Sequence, residues 1–431
     1  NRLMHRCCHS LISAAVAASA AATCLGWDRI QLQQLPNNNQ QQQHQRLLQR
    51  RPNVAFRPTA FAAAAGSTSD GPPATAAAPS LESDSSRRTR RRLAPLLAEA
   101  RRRLLLPPLQ SDAAEVDIDA VLAPVRDALA EARTRDGLSD AELHRLSASA
   151  HSAAAADCIA AGRRSAAEKL LRAELQDLLL AGLTVRDPAV VETSVRLGNL
   201  LLSNGRVEAG LAGLEFAVDG ASAGLAEFEA EEADSLRLAE LLAELGPQAV
   251  RDAAEAGNLQ RLQAKLRERR ALLGLAQSNL AKALLHFSPP AGGKSGTRAL
   301  DLLRSSLALA RQTYPGGHEN VACLLNDIGA LLCRLNRIDE AVESLEAALR
   351  MIEQLSAGWA EASQRQLMCA ALCNLGEAEA RRGRDGQAAR ACQRAMELAK
   401  KLPAGEEDLL DRAHYCMAFV ERLLETGSAA G

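Results

Sequence analysis

Aromatic side chains are scarce in this sequence, with six Phe, two Trp and two Tyr among 431 residues. A surface that stacks nucleic-acid bases needs aromatic rings, and a β-sandwich core usually draws on them, so neither is expected here. Histidine is also sparse. Three of the eight fall within the first 44 residues, and neither His318 nor His414 stands at ligand spacing, so no metal site is expected. No Ser/His/Asp, Cys/His or paired-carboxylate arrangement can be argued from spacing, so an enzyme and a cofactor are not expected either. Gly292-Gly293-Lys294-Ser295-Gly296-Thr297 looks like a phosphate loop, but Ser288 stands where that motif needs glycine and no apolar strand leads in. Long apolar runs are missing as well. The strongest candidate, Leu11–Leu25, is too short and too rich in alanine to span a membrane.

What is present is alanine and leucine, in a chain 47% apolar with 24% charged residues. That composition suits closely packed helices and reads as all-α. Charge is unevenly placed. Residues 1–92 hold twelve Lys/Arg against four Asp/Glu, leaving 39 basic against 48 acidic in the remainder. The part expected to fold is therefore acidic, the opposite of a nucleic-acid binder.

The clearest stretch is Val321–Leu355. Leu324, Leu325, Ile328, Leu331 and Leu332 recur at three- and four-residue spacing. After Asn336, Ile338, Ala341, Leu345, Ala348 and Leu349 do the same. This predicts two amphipathic helices joined by a tight turn. Such a hairpin cannot bury both apolar stripes alone, so it needs stacked neighbours. Leu325, Ile328, Gly329 and Leu332 in the first helix, with Ala341, Leu345 and Ala348 in the second, resemble the tetratricopeptide repeat, and His318–Gly329 resembles the longer repeat of kinesin light chains.

The small residue held by Gly329 recurs at Ala155, Gly198, Ala239, Ala281, Gly376 and Ala418, in steps of 43, 41, 42, 48, 47 and 42 residues. The 48-residue step includes the Pro/Gly/Ser-rich insertion Ser288–Thr297. Seven residues on come the turn residues Gly162, Gly205, Gly246, Asn336 and Gly383. Five further come Ala167, Gly210, Ala299, Ala341 and Ala388. The unit at Ala239 is weak: its GPQ turn fits, but its second helix, Ala249–Gly257, lacks the large residue. Leu409–Glu425 is expected as a capping helix. Leu93–Leu106 and Ile118–Ala132 are expected as an N-terminal hairpin, with Pro124 near the start of the second helix, where a kink or a late first turn is expected. The resemblance implies a right-handed α-solenoid of five to seven hairpins. The chain divides into residues 1–92, a leader; 93–138, a helical cap; and 139–431, the repeat array.

The leader combines Arg6, the mildly apolar Leu11–Leu25, and a segment from Arg29 to Ser69 with five Arg and no Asp or Glu. Three readings stand open: a disordered low-complexity terminus, a two-part plastid transit peptide, and a mitochondrial one. The location expected from the transit-peptide reading is plastid, with mitochondrion or cytoplasm as alternatives. Arg87–Arg92 is expected as a solvated lead-in to the first helix.

Cys369 and Cys373 stand one helical turn apart, and Cys323 and Cys333 share another helix. Their expected role is as small buried hydrophobes, the alternative being a redox-sensitive pair in the last repeats. In the family it resembles, helix A lines a concave face whose polar positions before the small residue hold peptides. Position by position, those are Asn279, Asn326 with Asp327, and Asn374, with Lys282, Arg334 and Arg381 nearby and Asn199 in the second repeat. An amide can donate to and accept from an extended backbone at once. The same asparagines could instead bond the neighbouring helix. The implied partner is a protein or peptide segment, and the implied function a non-catalytic scaffold, with a structural subunit of a large organelle assembly or a kinesin-light-chain-like cargo adaptor as rivals.

Overall fold

The computed structural model describes residues 83–105, 117–244, 256–287, 294–315, 317–355, 361–401 and 407–428. Among them are fourteen helices and no strand, all within the compact unit Pro58–Gly431. The leader up to residue 82 lies outside the described residues.

Helix α1 (Asp84–Leu105) and α2 (Ile118–Arg135) precede a series of hairpins: α3 (Asp140–Ala160) with α4 (Arg164–Leu180), then α5 (Pro188–Ser203) with α6 (Val207–Glu231). After the short α7 (Ala233–Glu244) come the long α8 (Ala256–Phe287) with α9 (Lys294–Thr313), α10 (Glu319–Arg334) with α11 (Ile338–Gln354), α12 (Glu361–Arg381) with α13 (Asp385–Ala399), and a last helix, α14 (Glu407–Ser428). Each hairpin packs on the next, which makes the molecule an α-solenoid.

The repeat positions do the work expected of them. Gly162, Gly205 and Gly383 end their A helices at φ of 73°, 77° and 77°, and Asn336 does so at 58°, the left-handed region that closes a helix into a tight turn. Gly246 lies outside the described residues. At the crossing of α10 and α11, a Cβ on Gly329 would stand 2.5 Å from Leu345 Cγ, and one on Gly210 would stand 2.6 Å from Leu202 Cγ. Ala155, Ala167, Ala281, Ala299, Ala341 and Ala388 are fully buried at the equivalent contacts. Apolar side chains gather into three main cores along the chain. One runs from Leu93 to Leu200, a central one from Val191 to Ala378 contains Leu214, Leu303 and Leu345, and a C-terminal one runs from Cys369 to Val420. Each large aliphatic residue fully buried in them contributes about 1.5–3 kcal/mol.

Four expectations are corrected. First, α1 starts at Asp84, upstream of Leu93, and runs through Arg87–Arg92 with Ser86 and Thr89 buried. The boundary at residue 92 therefore falls inside a helix. Ser83 donates to Glu142 Oε1 at 2.6 Å and Thr89 to Asp136 Oδ2 at 3.1 Å, which ties this end to α3 and the turn before it. Second, Pro124 sits within α2, whose N-cap is Asp117, not in a late first turn.

Third, no hairpin around Ala239 is found among the described residues. Residues 249–255 of the expected second helix lie outside the described residues, and Ala256 and Gly257 open α8, the A helix of the Ala281 unit. Helices α6 and α8, 25 and 32 residues long, continue side by side beyond a normal repeat. There Arg269 stacks 5.0 Å from the Phe228 ring centroid and donates to the Gly224 carbonyl at 3.1 Å, and Arg270 pairs with Glu229 at 2.9 Å. The repeat after Gly198 is therefore that of Ala281, and α7 is an insertion between them. Fourth, Ala418 is exposed; Ala413, Cys416 and Val420 are the buried face of α14.

Candidate functional site

The polar residues singled out on the A helices form one seam across successive repeats. Asn199 of α5 donates to Asn279 Oδ1 of α8 at 3.0 Å, and Asn279 donates to its own helix at the Leu275 carbonyl, 2.8 Å. One turn on, Lys282 of α8 pairs with Asp327 of α10, Nζ to Oδ2, at 2.9 Å. Asn374 of α12 donates to Asn326 Oδ1 of α10 at 2.8 Å and accepts at Oδ1 from Arg412 of α14. Five helices, α5, α8, α10, α12 and α14, are thereby linked by side chains alone.

Burial shapes the electrostatics of the seam. Asn279, Asn326 and Asn374 are only 6%, 8% and 6% exposed, so their amides bond to neighbouring protein groups and little to solvent. Asp327, against the Lys282 ammonium, raises the lysine above its ordinary range despite the opposing effect of burial. Cys323, one turn before Asp327, is pushed up to about 12, chiefly by burial and then by that carboxylate. It is a thiol at neutral pH and not a nucleophile.

Arg334 and Arg381 are exposed and occupy equivalent places, five residues after the small glycine. Each reaches the preceding A helix: Arg334 donates to the Leu285 carbonyl at 2.9 Å and Arg381 to the Cys333 carbonyl at 3.2 Å. These are last-turn carbonyls, the Cys333 oxygen also accepting from the Asn336 amide at 3.2 Å, and a cation there complements the helix dipole. Arg381 also holds Glu377 at 2.6 Å.

The sequence reading missed the end of the seam. Arg412 and Tyr415 on α14 face Glu377 and Asn374 across a shallow pocket that Cys373 and Cys416 complete. Arg412 escaped notice because α14 has no second helix against which to set its phase. Tyr415 is 63% exposed, one of only two tyrosines in the chain, and scarcity was the signal available. Lys294 and Gly296 of the phosphate-loop look-alike lie in the first turn of α9, and residues 288–293 before them lie outside the described residues. Among the described residues no group of His, Cys, Asp and Glu is placed to hold a metal ion, and no helix is long and apolar enough to cross a membrane.

The hairpin array defines an α-solenoid of the kind that serves as a protein–protein interaction scaffold. Residues 294–354, which span α9 to α11, match the tetratricopeptide repeat family model, and the chain carries tetratricopeptide repeats there. No curated protein matches the sequence. Among solved structures it is similar to BtubC (BKLC) from P. vanneervenii, at 18% identity and a TM-score of 0.45, covering 67% of this chain and 91% of that one. A Podosopora anserina putative kinesin light chain with nearly identical TPR-like repeats is 16% identical at a TM-score of 0.39, covering 61% and 98%. The assembly chaperone of RpL4 (Acl4) is 14% identical at a TM-score of 0.42, covering 80% and 99%.

Proposed function

We propose that this chain is a non-catalytic scaffold that holds an extended protein segment along its A helices, from α10 across α12 to α14. The observation that carries this is the end of the seam. An exposed tyrosine stands beside the exposed Arg412, and Arg381 and Arg334 continue the row on the two preceding A helices. Aromatic and arginine side chains are the residues that most often anchor a partner. Asn374 holds Arg412, the Cys333 and Leu285 carbonyls hold Arg381 and Arg334, and the guanidinium edges that remain in solvent present donors to backbone carbonyls or acidic side chains. The leader's acid-free, arginine-bearing composition supports an organelle address and, with it, a role in assembling or maintaining an organelle complex.

The test is proximity labelling from the full-length tagged chain in its own cell, with its location imaged in the same cells, followed by capture with Arg381→Glu and Tyr415→Ala variants. The reading expects labelled proteins whose capture falls at least tenfold in the variants while the melting temperature holds. Undiminished capture would remove the seam as the binding face.

One observation favours a second reading, a permanent subunit of a larger assembly. Leu238 and Leu241, on one face of α7, are 43% and 53% exposed, and buried apolar contacts of this sort hold obligate partners. The adaptor reading calls for an upstream coiled coil. Helices α1 and α2 instead pack on each other and against α3.

A further inference from the structure

Four cysteines meet where the last helix joins the array. Cys392 of α13 and Cys416 of α14 form a disulfide, and Cys369 and Cys373 of α12 are buried thiols beside it. Cys369 donates to the Ala395 carbonyl at 3.4 Å, and Cys416 Sγ lies 3.4 Å from the Cys373 carbonyl oxygen. Gly376 makes the room. A Cβ there would run into Cys392 Sγ and come within 3.1 Å of Cys416 Sγ.

Among the described side chains, the apolar contact of α14 is small. Of its described side chains only Ala413, Cys416 and Val420 are buried, with Leu410 and Met417 half-buried against the same core. By contrast α10 buries Val321, Leu324, Leu325, Ile328, Leu331 and Leu332. As the last helix of the array, α14 packs against α12 and α13, and at such an end one covalent link contributes strongly to holding the helix in place.

We propose that Cys392–Cys416 is a reversible redox site that locks the C-terminal helix onto the array, and that an external dithiol unlocks it. Access sets the direction of attack. Cys416 lines the shallow surface pocket, whereas Cys392 is fully buried. A thiolate of the dithiol attacks Cys416 Sγ, forming a mixed disulfide, and Cys392 leaves as a thiolate that takes up a proton. The second thiol of the reductant then attacks its own sulfur in the mixed disulfide, and Cys416 leaves as the thiol. Two electrons and two protons pass to the protein, and the reductant ends as a disulfide. With the bridge open, α14 lifts, Arg412 leaves Asn374, and the Cys392 side of α13 is uncovered.

The experiment is hydrogen exchange with mass spectrometry on the full chain, oxidised and after dithiothreitol, with thiols counted by alkylation under denaturing conditions. Reduction should raise the count by two and speed amide exchange in α14 by about 30-fold or more while α10 and α11 stay unchanged. Cys369→Ala/Cys373→Ala should keep this response. Cys392→Ala/Cys416→Ala should exchange fast with or without reductant. If that variant fails to fold, the oxidised and reduced wild-type chain carry the comparison alone. An unchanged thiol count, or equal α14 exchange in the two states, overturns the proposal.

Discussion

Asn374 donates its side-chain amide to Asn326 Oδ1 at 2.8 Å, joining two A helices through residues 48 apart in sequence. Both side chains are buried, and Arg412 completes the set by donating to Asn374 Oδ1. A buried amide network of this kind fixes the register of stacking as well as its strength, because a slipped neighbour leaves polar groups unpaired.

Replacing Asn374 by Ala strands the Asn326 carbonyl and the Arg412 guanidinium together. The expected loss is about 1–3 kcal/mol in denaturant unfolding, with accelerated exchange in α14 as the local signature. Arg412→Ala should reproduce the acceleration in α14 with a smaller global loss.

The glycine at the helix crossing gives a second prediction. Gly329→Ala puts a methyl 2.5 Å from Leu345 Cγ and 2.8 Å from its Cδ2, in a core without slack. Overpacking should destabilise by about 1–3 kcal/mol. Combining it with Leu345→Val should recover part of the loss, a coupling that a double-mutant cycle in urea reads directly.

Asn336 carries the only positive φ on a non-glycine residue among the described positions, at 58°. Asn336→Gly relieves the Cβ there and should raise stability by a few tenths to about 1 kcal/mol. Asn336→Ala should lower it by a similar amount. Equal melting temperatures for all three chains would show that the turn is not under strain.

His318 is the N-cap of α10: its Nδ1 accepts from the Asn320 amide at 3.2 Å, and its ring stacks on Tyr314 at 4.1 Å. Only the unprotonated nitrogen can accept, and burial holds the ring's pKa below the ordinary histidine value. The folded chain thus binds less proton than the unfolded one at this site. Stability is fully present above about pH 6.5 and falls as the pH drops from there towards the depressed folded value. His318→Asn keeps a cap acceptor that does not titrate. Wild type should lose stability relative to this variant as the pH falls below about 6.5, and parallel curves would contradict the assignment.

Much of the fold was legible because its signals are local. The leucine spacing of α10 and α11, the left-handed Gly and Asn at the turns, and the small residues at the crossings all act within about 40 residues. Phase was lost wherever a helix lacks its hairpin partner. Ala418 was placed two positions from Cys416, whose sulfur Gly376 actually faces, and Ala239 was counted as a repeat although the paired length of α6 and α8 displaced its helix. The Arg87–Arg92 run hid the start of α1, since charge suggests solvent while Ser86 and Thr89, the buried positions, are not apolar.

The residue types, and the intervals at which small and left-handed positions recur, are set by the sequence alone, because a helix–turn–helix needs a bare backbone where it crosses and where it turns. Which polar side chain meets which is not contained in those intervals. Asn279 found Asn199 from 80 residues away, and Cys416 found Cys392 where the nearby Cys369 and Cys373 remained thiols. Stacking decided both. Partners on separate repeats are chosen by the rotation and rise from one hairpin to the next, and those depend on how every apolar face between them packs.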